Sequence, residues 1–255
     1  MQILEATPNR FKGIELDPEA LPNDPEEFRT RLSDSLGEWE REGFKVVWIN
    51  VPIGHAVLIS VATEAGFSFH HTGKDYLLLT KRLEADALIP EYSTHYIGAG
   101  GVVINSKEEL LVVSERHRRS SRPYYKLPGG ALHAGEHIAD CVQREILEET
   151  GVHAKFEKLV CFRQTHGYRY DKSDIYFVCR LSPLSADISI QAEEIEECLW
   201  LPVTDYLSSE IVSIFNKHIV KAALESPGVT HMDIEGYSNP NRLEIFMPSG
   251  MEHIA

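Results

Sequence analysis

Three carboxylates in the stretch QREILEET could do chemistry together: Glu145, Glu148 and Glu149. They stand at i, i+3 and i+4, so on a helix they share one face. Like charges at that spacing repel and weaken an isolated helix. A divalent cation over the face would reverse that cost. Oxygen-only ligands in an octahedral shell suit Mg²⁺ or Mn²⁺ rather than zinc. Such an ion engages phosphates, neutralises their charge and activates water. The competing reading is a solvated acidic face, common in an acidic protein. Arg144 cannot bind a metal but can pair with Glu136 or Glu148 and hold a carboxylate in place. Ile138, Val142, Ile146 and Leu147 supply apolar anchoring on other faces. Gly129 and Gly130 precede the helix, Gly135 stands directly before Glu136, and Gly151 closes the helix as a C-cap would.

Other residues could serve a phosphate-bearing substrate. Arg116, Arg118, Arg119 and Arg122, with His117 among them, form the densest basic patch. Guanidinium forks suit phosphate oxygens, although a hairpin loop kept soluble by charge would read the same way. Tyr168 and Tyr170 lie in the loop HGYRYDKSD, where they could stack on an adenine. Tyr124, Tyr125 and Phe162 read more readily as core. A water nucleophile needs a base, and the acidic run QAEEIEEC offers Glu193 and Glu194. Glu196 and Glu197 read as a solvated turn. His55, His70, His71 and His95 match no zinc spacing. His70 and His71 are adjacent on an expected strand, so they should point to opposite faces. The four cysteines form no CxxC pair and sit in apolar segments, as small buried hydrophobes do.

The elements that must position these groups fall into two stretches. In the first, Phe28, Leu32, Leu36 and Trp39 recur at helical spacing and predict a helix from Pro25 to Gly43. A strand from Phe44 to Val51 and a helix from Pro52 to Gly66 follow. Short strands at 67–71 and 76–80 complete a small α/β layer. The polar stretch near residue 93 marks a boundary. The second stretch opens near His95 with a glycine-rich strand, then a strand over 109–115 and a short one at YYKLP. A helix over 136–150, strands over 156–164, 174–181 and 198–201, and a helix over 207–224 come next. Residues 225–255 read as a tail with one strand at 243–247. The expected domains are therefore 1–93, 94–224 and the tail.

The chain has 255 residues, 43% apolar and 25% charged, close to the globular average. Its formal net charge is −14, and both stretches are acidic. That argues against nucleic acid as a partner but leaves room for a small basic pocket. No basic-then-apolar leader opens the sequence, and no apolar run reaches the roughly 18 residues of a membrane helix. The expectation is a cytoplasmic protein without a membrane partner, with an organelle left open.

The segment from Gly130 to Val152 resembles the Nudix box: glycine, five residues, glutamate, seven residues, then REUxEExGU, where U is aliphatic. Gly130, Glu136, Arg144, Glu145, Ile146, Glu148, Glu149, Gly151 and Val152 fill every fixed position. The resemblance implies an α-β-α sandwich and hydrolysis of nucleoside diphosphates linked to another moiety, with Mg²⁺ or Mn²⁺. It implies that Glu145, Glu148 and Glu149 are metal ligands, that the main chain at Gly130 contacts the metal, and that Glu136 and Arg144 brace the helix. GFSFHH, YLLLTKRL and YSTHYIGAGGVV are similar to the Nudix subgroup carrying a smaller N-terminal α/β pre-Nudix domain. That subgroup includes the antisense basic fibroblast growth factor protein and its plant relatives. It implies a small nucleotide substrate, ADP-ribose or NADH first. Coenzyme A derivatives, an mRNA cap or oligonucleotide, and a mainly regulatory role are the alternatives. Nudix relatives often pair, so a homodimer also fits the resemblance.

Overall fold

The computed structural model describes residues 2–117 and 124–250. The chain divides into two compact units, Met1–Ser93 and Thr94–Ala255. The basic positions Arg118, Arg119 and Arg122 lie outside the described residues.

The first unit is a five-stranded mixed sheet with two helices. Its elements are β1 (Ala6–Pro8), β2 (Gly13–Leu16), α1 (Pro25–Arg41), β3 (Val46–Pro52), α2 (Leu58–Glu64), β4 (Ser68–Thr72) and β5 (Tyr76–Arg82). The sheet order is β1-β2-β3-β5-β4. Asp24 caps α1 by accepting from the Glu27 N–H, and Pro25 opens its first turn. Phe28, Leu32 and Trp39 of α1 pack with Leu58, Val61 and Ala62 of α2 on Val47, Ile49 and Val51 of β3. Alternate β3 residues, Val46 and Trp48, face the other side and meet Ala87, Leu78 and Ile89. Burying a side chain such as Phe28 contributes roughly 1.5–3 kcal/mol.

Three details depart from the sequence expectations. β1 and β2 were not anticipated, because ATP and GIEL are too short to show a period. The second helix begins later: Ile53–His55 is a 3-10 turn before α2. His70 and His71 do not point to opposite faces. A register shift between Phe69 and His71 breaks the alternation. Their Nδ1 atoms lie 2.7 Å apart.

The second unit is an α-β-α sandwich. Its strands are β6 (His95–Val103), β7 (Glu109–Glu115), β8 (Gly129–Ala131), β9 (Ala154–Thr165), β10 (Ser173–Pro183), β11 (Ile195–Pro202), β12 (Thr230–His231) and β13 (Phe246–Met247). Its helices are α3 (Ile138–Thr150), α4 (Val203–Ser208) and α5 (Ile214–Glu225). One sheet runs β8-β6-β10-β9, and β11 pairs with β7 in a second. The faces follow from alternation along the strands. Ala99, Val103, Cys179 and Leu181 pack under Cys141, Val142 and Ile146 of α3. Val102 and Val178 turn to the other layer, against Tyr206, Ile219 and Val220 of α4 and α5. The helix expected over 207–224 is therefore two helices. YYKLP forms no full strand; Lys126 alone bridges Val113.

The stretch expected as a tail is folded onto the second unit as far as residue 250. Leu159 and Val229 exchange backbone hydrogen bonds of 2.9 Å, and β12 pairs with β13. The strand expected over 243–247 is the shorter β13, and its partner β12 has too few residues to show a pattern.

Gly151 ends α3 at φ 72, and its N–H donates to the Leu147 carbonyl at 2.8 Å. A Cβ there would also lie 2.8 Å from the Ser189 backbone. Gly151→Ala should therefore lower stability by about 2 kcal/mol through left-handed strain and contact. Urea denaturation of the full chain measures it; an unshifted midpoint would refute the account.

Candidate active site

α3 carries the acidic cluster, and each end of the helix is held. At the start, His137 offers no side-chain cap. The cap comes from far along the chain. Glu244 accepts from the Ile138 N–H at 2.7 Å and from the Ala139 N–H at 3.1 Å. A carboxylate placed there satisfies orphan amides and meets the positive end of the helix dipole. His137 Nε2 also lies 2.8 Å from the Pro240 carbonyl. Cys141, Val142 and Ile146 bury the inner face, whereas Leu147 is 39% exposed and does not anchor the helix as expected.

Arg144 pairs with Glu136, Glu145 and Glu148 together. Nε and Nη2 donate to the two oxygens of Glu136 at 2.7 and 2.9 Å. Nη1 donates to Glu145 at 2.8 Å and to Glu148 at 3.0 Å. The bond from Arg144 outweighs burial and holds the Glu136 carboxyl down at about 2. Glu136 also accepts from the His133 N–H at 2.9 Å, so its carboxylate closes the loop before α3 while Arg144 ties that loop to the helix.

Glu149 has a different environment. It is 6% exposed and accepts from the Gly129 N–H at 3.0 Å. Burial pushes its carboxyl up to about 7, while Lys126 opposes the shift. Lys126 Nζ stands 4.0 Å from Glu149 and is paired with Glu115. Glu145 sits directly over Gly130, where an added Cβ would lie 2.5 Å from its carboxyl atoms. Only glycine leaves that carboxylate its place. Tyr176 fills the neighbouring space, with its hydroxyl against Gly100 and Gly129.

Two family models match this chain. A model described as Nudix hydrolase domain covers residues 4–83, and one described as NUDIX domain covers residues 94–222. Three Arabidopsis thaliana proteins are similar over most of the chain. Nudix hydrolase 2 is 36% identical over 92% of this chain and 85% of its own length.

The chain belongs to the Nudix hydrolase superfamily.

Nudix hydrolase 8 is 35% identical over 82% of this chain, which spans 58% of that relative. Nudix hydrolase 7 is 38% identical over 80% of this chain and 74% of its own length. The first unit lacks the spacing of Gly130 to Val152, so the Nudix box occurs once, in the second.

The box residues suit a hard cation. Their donors are all carboxylate oxygens, and Gly130 leaves room for Glu145 beside its main chain. The three carboxylates do not converge: among the described residues, no group of three His, Cys, Asp or Glu side chains forms a cage. The reason is electrostatic. Each carboxylate takes the nearest positive or N–H donor, so Glu145 and Glu148 turn to Arg144 while Glu149 turns to Gly129 and Lys126. The four cysteines are unpaired, and burial pushes the Cys141 and Cys198 thiols up to about 12, far from thiolate chemistry.

The remaining candidates are more scattered. The Arg116 N–H donates to the Glu194 carbonyl at 2.8 Å, which sets the start of the basic patch beside the acidic run. Glu193 and Glu194 are exposed, and among the described residues neither bonds to Glu145, Glu148 or Glu149. Glu197 accepts from the Tyr125 hydroxyl at 2.7 Å. Tyr168 and Tyr170 lie beyond the start of β6, whereas the box glycines pair with its middle. Ser173 pairs with His95 and Gly130 with Ala99, four residues or about 13 Å apart along the strand. Tyr168 meets the Tyr96 ring at 5.8 Å, and Tyr170 is 86% exposed. Lys126, Glu115 and Glu244 were missed. Glu115, at the end of β7, and Lys126, at an isolated bridge, carry no signal in their spacing, and Glu244 acts across more than a hundred residues.

Replacing Glu244 by alanine removes both acceptors from the start of α3. The full chain should lose about 1 kcal/mol of stability. Amide exchange at Ile138 and Ala139 should rise with it; unchanged protection at both amides would show that Glu244 is no cap.

Proposed function

We propose that the chain is a Mg²⁺- or Mn²⁺-dependent hydrolase of the phosphoanhydride bond in a small ADP-linked metabolite, ADP-ribose or NADH first. One observation carries the reading. Glu145, Glu148 and Glu149 project from one turn of a helix that is capped at both ends and braced by Arg144 and Glu136. A scaffold has no need of such crowded charge. Glu145, Glu148, Glu149 and the main chain at Gly130 would hold the ion. When bound, a divalent ion neutralises diphosphate charge and makes water more acidic.

The chain's own groups have distinct tasks in this reading. Arg144 and Glu136 keep the α3 face in register. Glu193 or Glu194 takes the proton from the attacking water. The water oxygen forms a bond to one phosphorus, the bridging P–O bond breaks, and a nucleoside monophosphate separates from its former partner. Arg116, Arg119 and Arg122 contact phosphate oxygens, and Tyr168 and Tyr170 stack on the base. The 13 Å between the tyrosine loop and Gly130 is compatible with an extended dinucleotide. The first unit supports placing the chain in the subgroup with a pre-Nudix domain. The homodimer belongs to this reading too. No helix among the described residues is long and apolar enough to cross a membrane.

A panel of ADP-ribose, NADH, NAD⁺, coenzyme A, FAD, diadenosine polyphosphates and capped RNA tests the reading. Turnover should require Mg²⁺ or Mn²⁺ and should be highest on ADP-ribose or NADH. Glu149→Gln should reduce kcat by about 10²-fold or more. Absence of metal-dependent turnover, or full turnover in the variant, would end the proposal.

Arg116→Ala is a separate test. It should raise KM for ADP-ribose several-fold with little change in kcat, the pattern of a lost binding contact. Kinetics identical to the unsubstituted chain would remove Arg116 from the site.

A further inference from the structure

The second unit's four-stranded sheet carries, on the face away from α3, a line of groups outside the box. Register sets Gly98 of β6, Tyr176 of β10 and Arg163 of β9 side by side across that face. Gly98 and Gly100 leave room for the Tyr176 ring, whose hydroxyl lies against Gly100 and Gly129. Gly129 is the residue whose N–H bonds to Glu149. Burial, and then the Glu149 and Glu145 carboxylates, push that hydroxyl up. Tyr176 is thus a wall shared with the box.

Arg163 stands on the other side of that wall. Its guanidinium lies 5.6 Å from the Tyr176 ring centre and 5.7 Å from that of Phe215, in the first turn of α5. Nη2 donates to Asp174 at 2.7 Å. Asp174 is buried, so the pair fixes the guanidinium to the sheet. Neutralising Asp174 occupies one nitrogen only. The Arg163 side chain is 39% exposed, and among the described residues no acceptor meets Nη1. A planar cation held from behind, flanked by rings and open to solvent along a donor edge, suits an oxygen anion. Spacing narrows the anion. Along β6, the row of Arg163 is one residue from Ala99, the partner of Gly130, and three from His95, the partner of Ser173 below the tyrosine loop. Across the sheet, Gly129 is two strands from β10, about 10 Å. One phosphate cannot touch both the box carboxylates' ion and this guanidinium, whereas successive phosphates of a diphosphate can.

We propose that Arg163 binds the second phosphate of a nucleoside diphosphate substrate, the one further from the box carboxylates, with Asp174 as its positioning residue. The Nη1 edge donates to a non-bridging oxygen of that phosphate. Tyr176 and Phe215 fix the plane of the guanidinium and shield its faces from water. The diphosphate then lies on the line from Gly130 to the tyrosine loop, above the glycines of β6. This role rests on the box being a phosphate-binding centre, and not on which ADP-linked metabolite is cleaved.

The test is calorimetric titration of the full chain, in Mg²⁺, with AMP and with α,β-methylene-ADP, a diphosphate analogue whose bridging carbon resists hydrolysis. The unsubstituted chain should bind the analogue more tightly than AMP. Arg163→Ala should weaken the analogue by about tenfold or more, the effect of one lost charge-assisted bond, and AMP by less than about threefold. A purely structural role would weaken both alike. Arg163→Lys keeps a positive charge beside buried Asp174, which protects folding, and should lose part of the same preference. A further measurement needs no substitution: the analogue should shift the Arg163 Nε–H resonance and leave that of Arg29, in the first unit, in place. No preference for the analogue in the unsubstituted chain overturns the proposal. So does a preference unchanged in both variants, an equal loss for analogue and AMP, or an Arg163 resonance that stays still at saturation. Turnover of ADP-ribose separates the two readings. Metal-dependent turnover with the same KM in the unsubstituted chain and Arg163→Ala would remove Arg163 and leave the hydrolase standing; no turnover with the Arg163-dependent preference intact would do the reverse.

Discussion

Three carboxylates crowded on one turn of α3 are the constraint around which the second unit is organised. Their repulsion opposes the helix that carries them. Arg144 answers part of it, by serving Glu145 and Glu148 with one nitrogen while Nε and Nη2 grip Glu136. The helix persists because both its ends are held, by Gly151 at one and by Glu244 at the other. Ile146 and Val142 lock the opposite face into the sandwich. The local cost is thus offset by capping and packing.

The same helix places its carboxylates in unlike surroundings. Glu148 is at the surface, whereas Glu149 is buried against Gly129 and Lys126. Burial raises the affinity of Glu149 for a proton, and a nearby cation lowers it. The first unit shows a milder form of the same principle. There, the buried Trp48 indole N–H and the buried Asn50 amide oxygen have no hydrogen-bond partner in the protein.

Legibility in the sequence followed the length and strictness of each pattern. α1 was visible from Phe28, Leu32 and Trp39, because a long amphipathic helix repeats its signal over several turns. β6 was visible as a glycine-rich strand and β7 as an apolar run. β1, β2 and β12 were not, since two to four residues cannot establish a period; β13 was expected as part of a longer strand over 243–247. The single helix expected over 207–224 broke into α4 and α5, and the bulge in β4 overturned the alternation of His70 and His71. Within the site, Arg144, Glu136 and the three carboxylates could be grouped from spacing alone. Lys126, Glu115 and Glu244 could not, because their contacts cross between elements far apart in the chain.

The sequence by itself determined the helical face of Glu145, Glu148 and Glu149, the brace at Arg144, the glycines that flank the helix, and the family those residues mark. All of these depend on covalent spacing and helical period, which are local. Tertiary structure decided which carboxylate is buried, what caps the helix, and that residues 225–250 belong to the fold. It also decided that Tyr168 and Tyr170 lie about half the length of β6 from the box, and that a cavity opens beside Trp48 and Asn50. Burial, field strength and orphaned polar atoms are properties of what packs against a residue, and no spacing along the chain contains them.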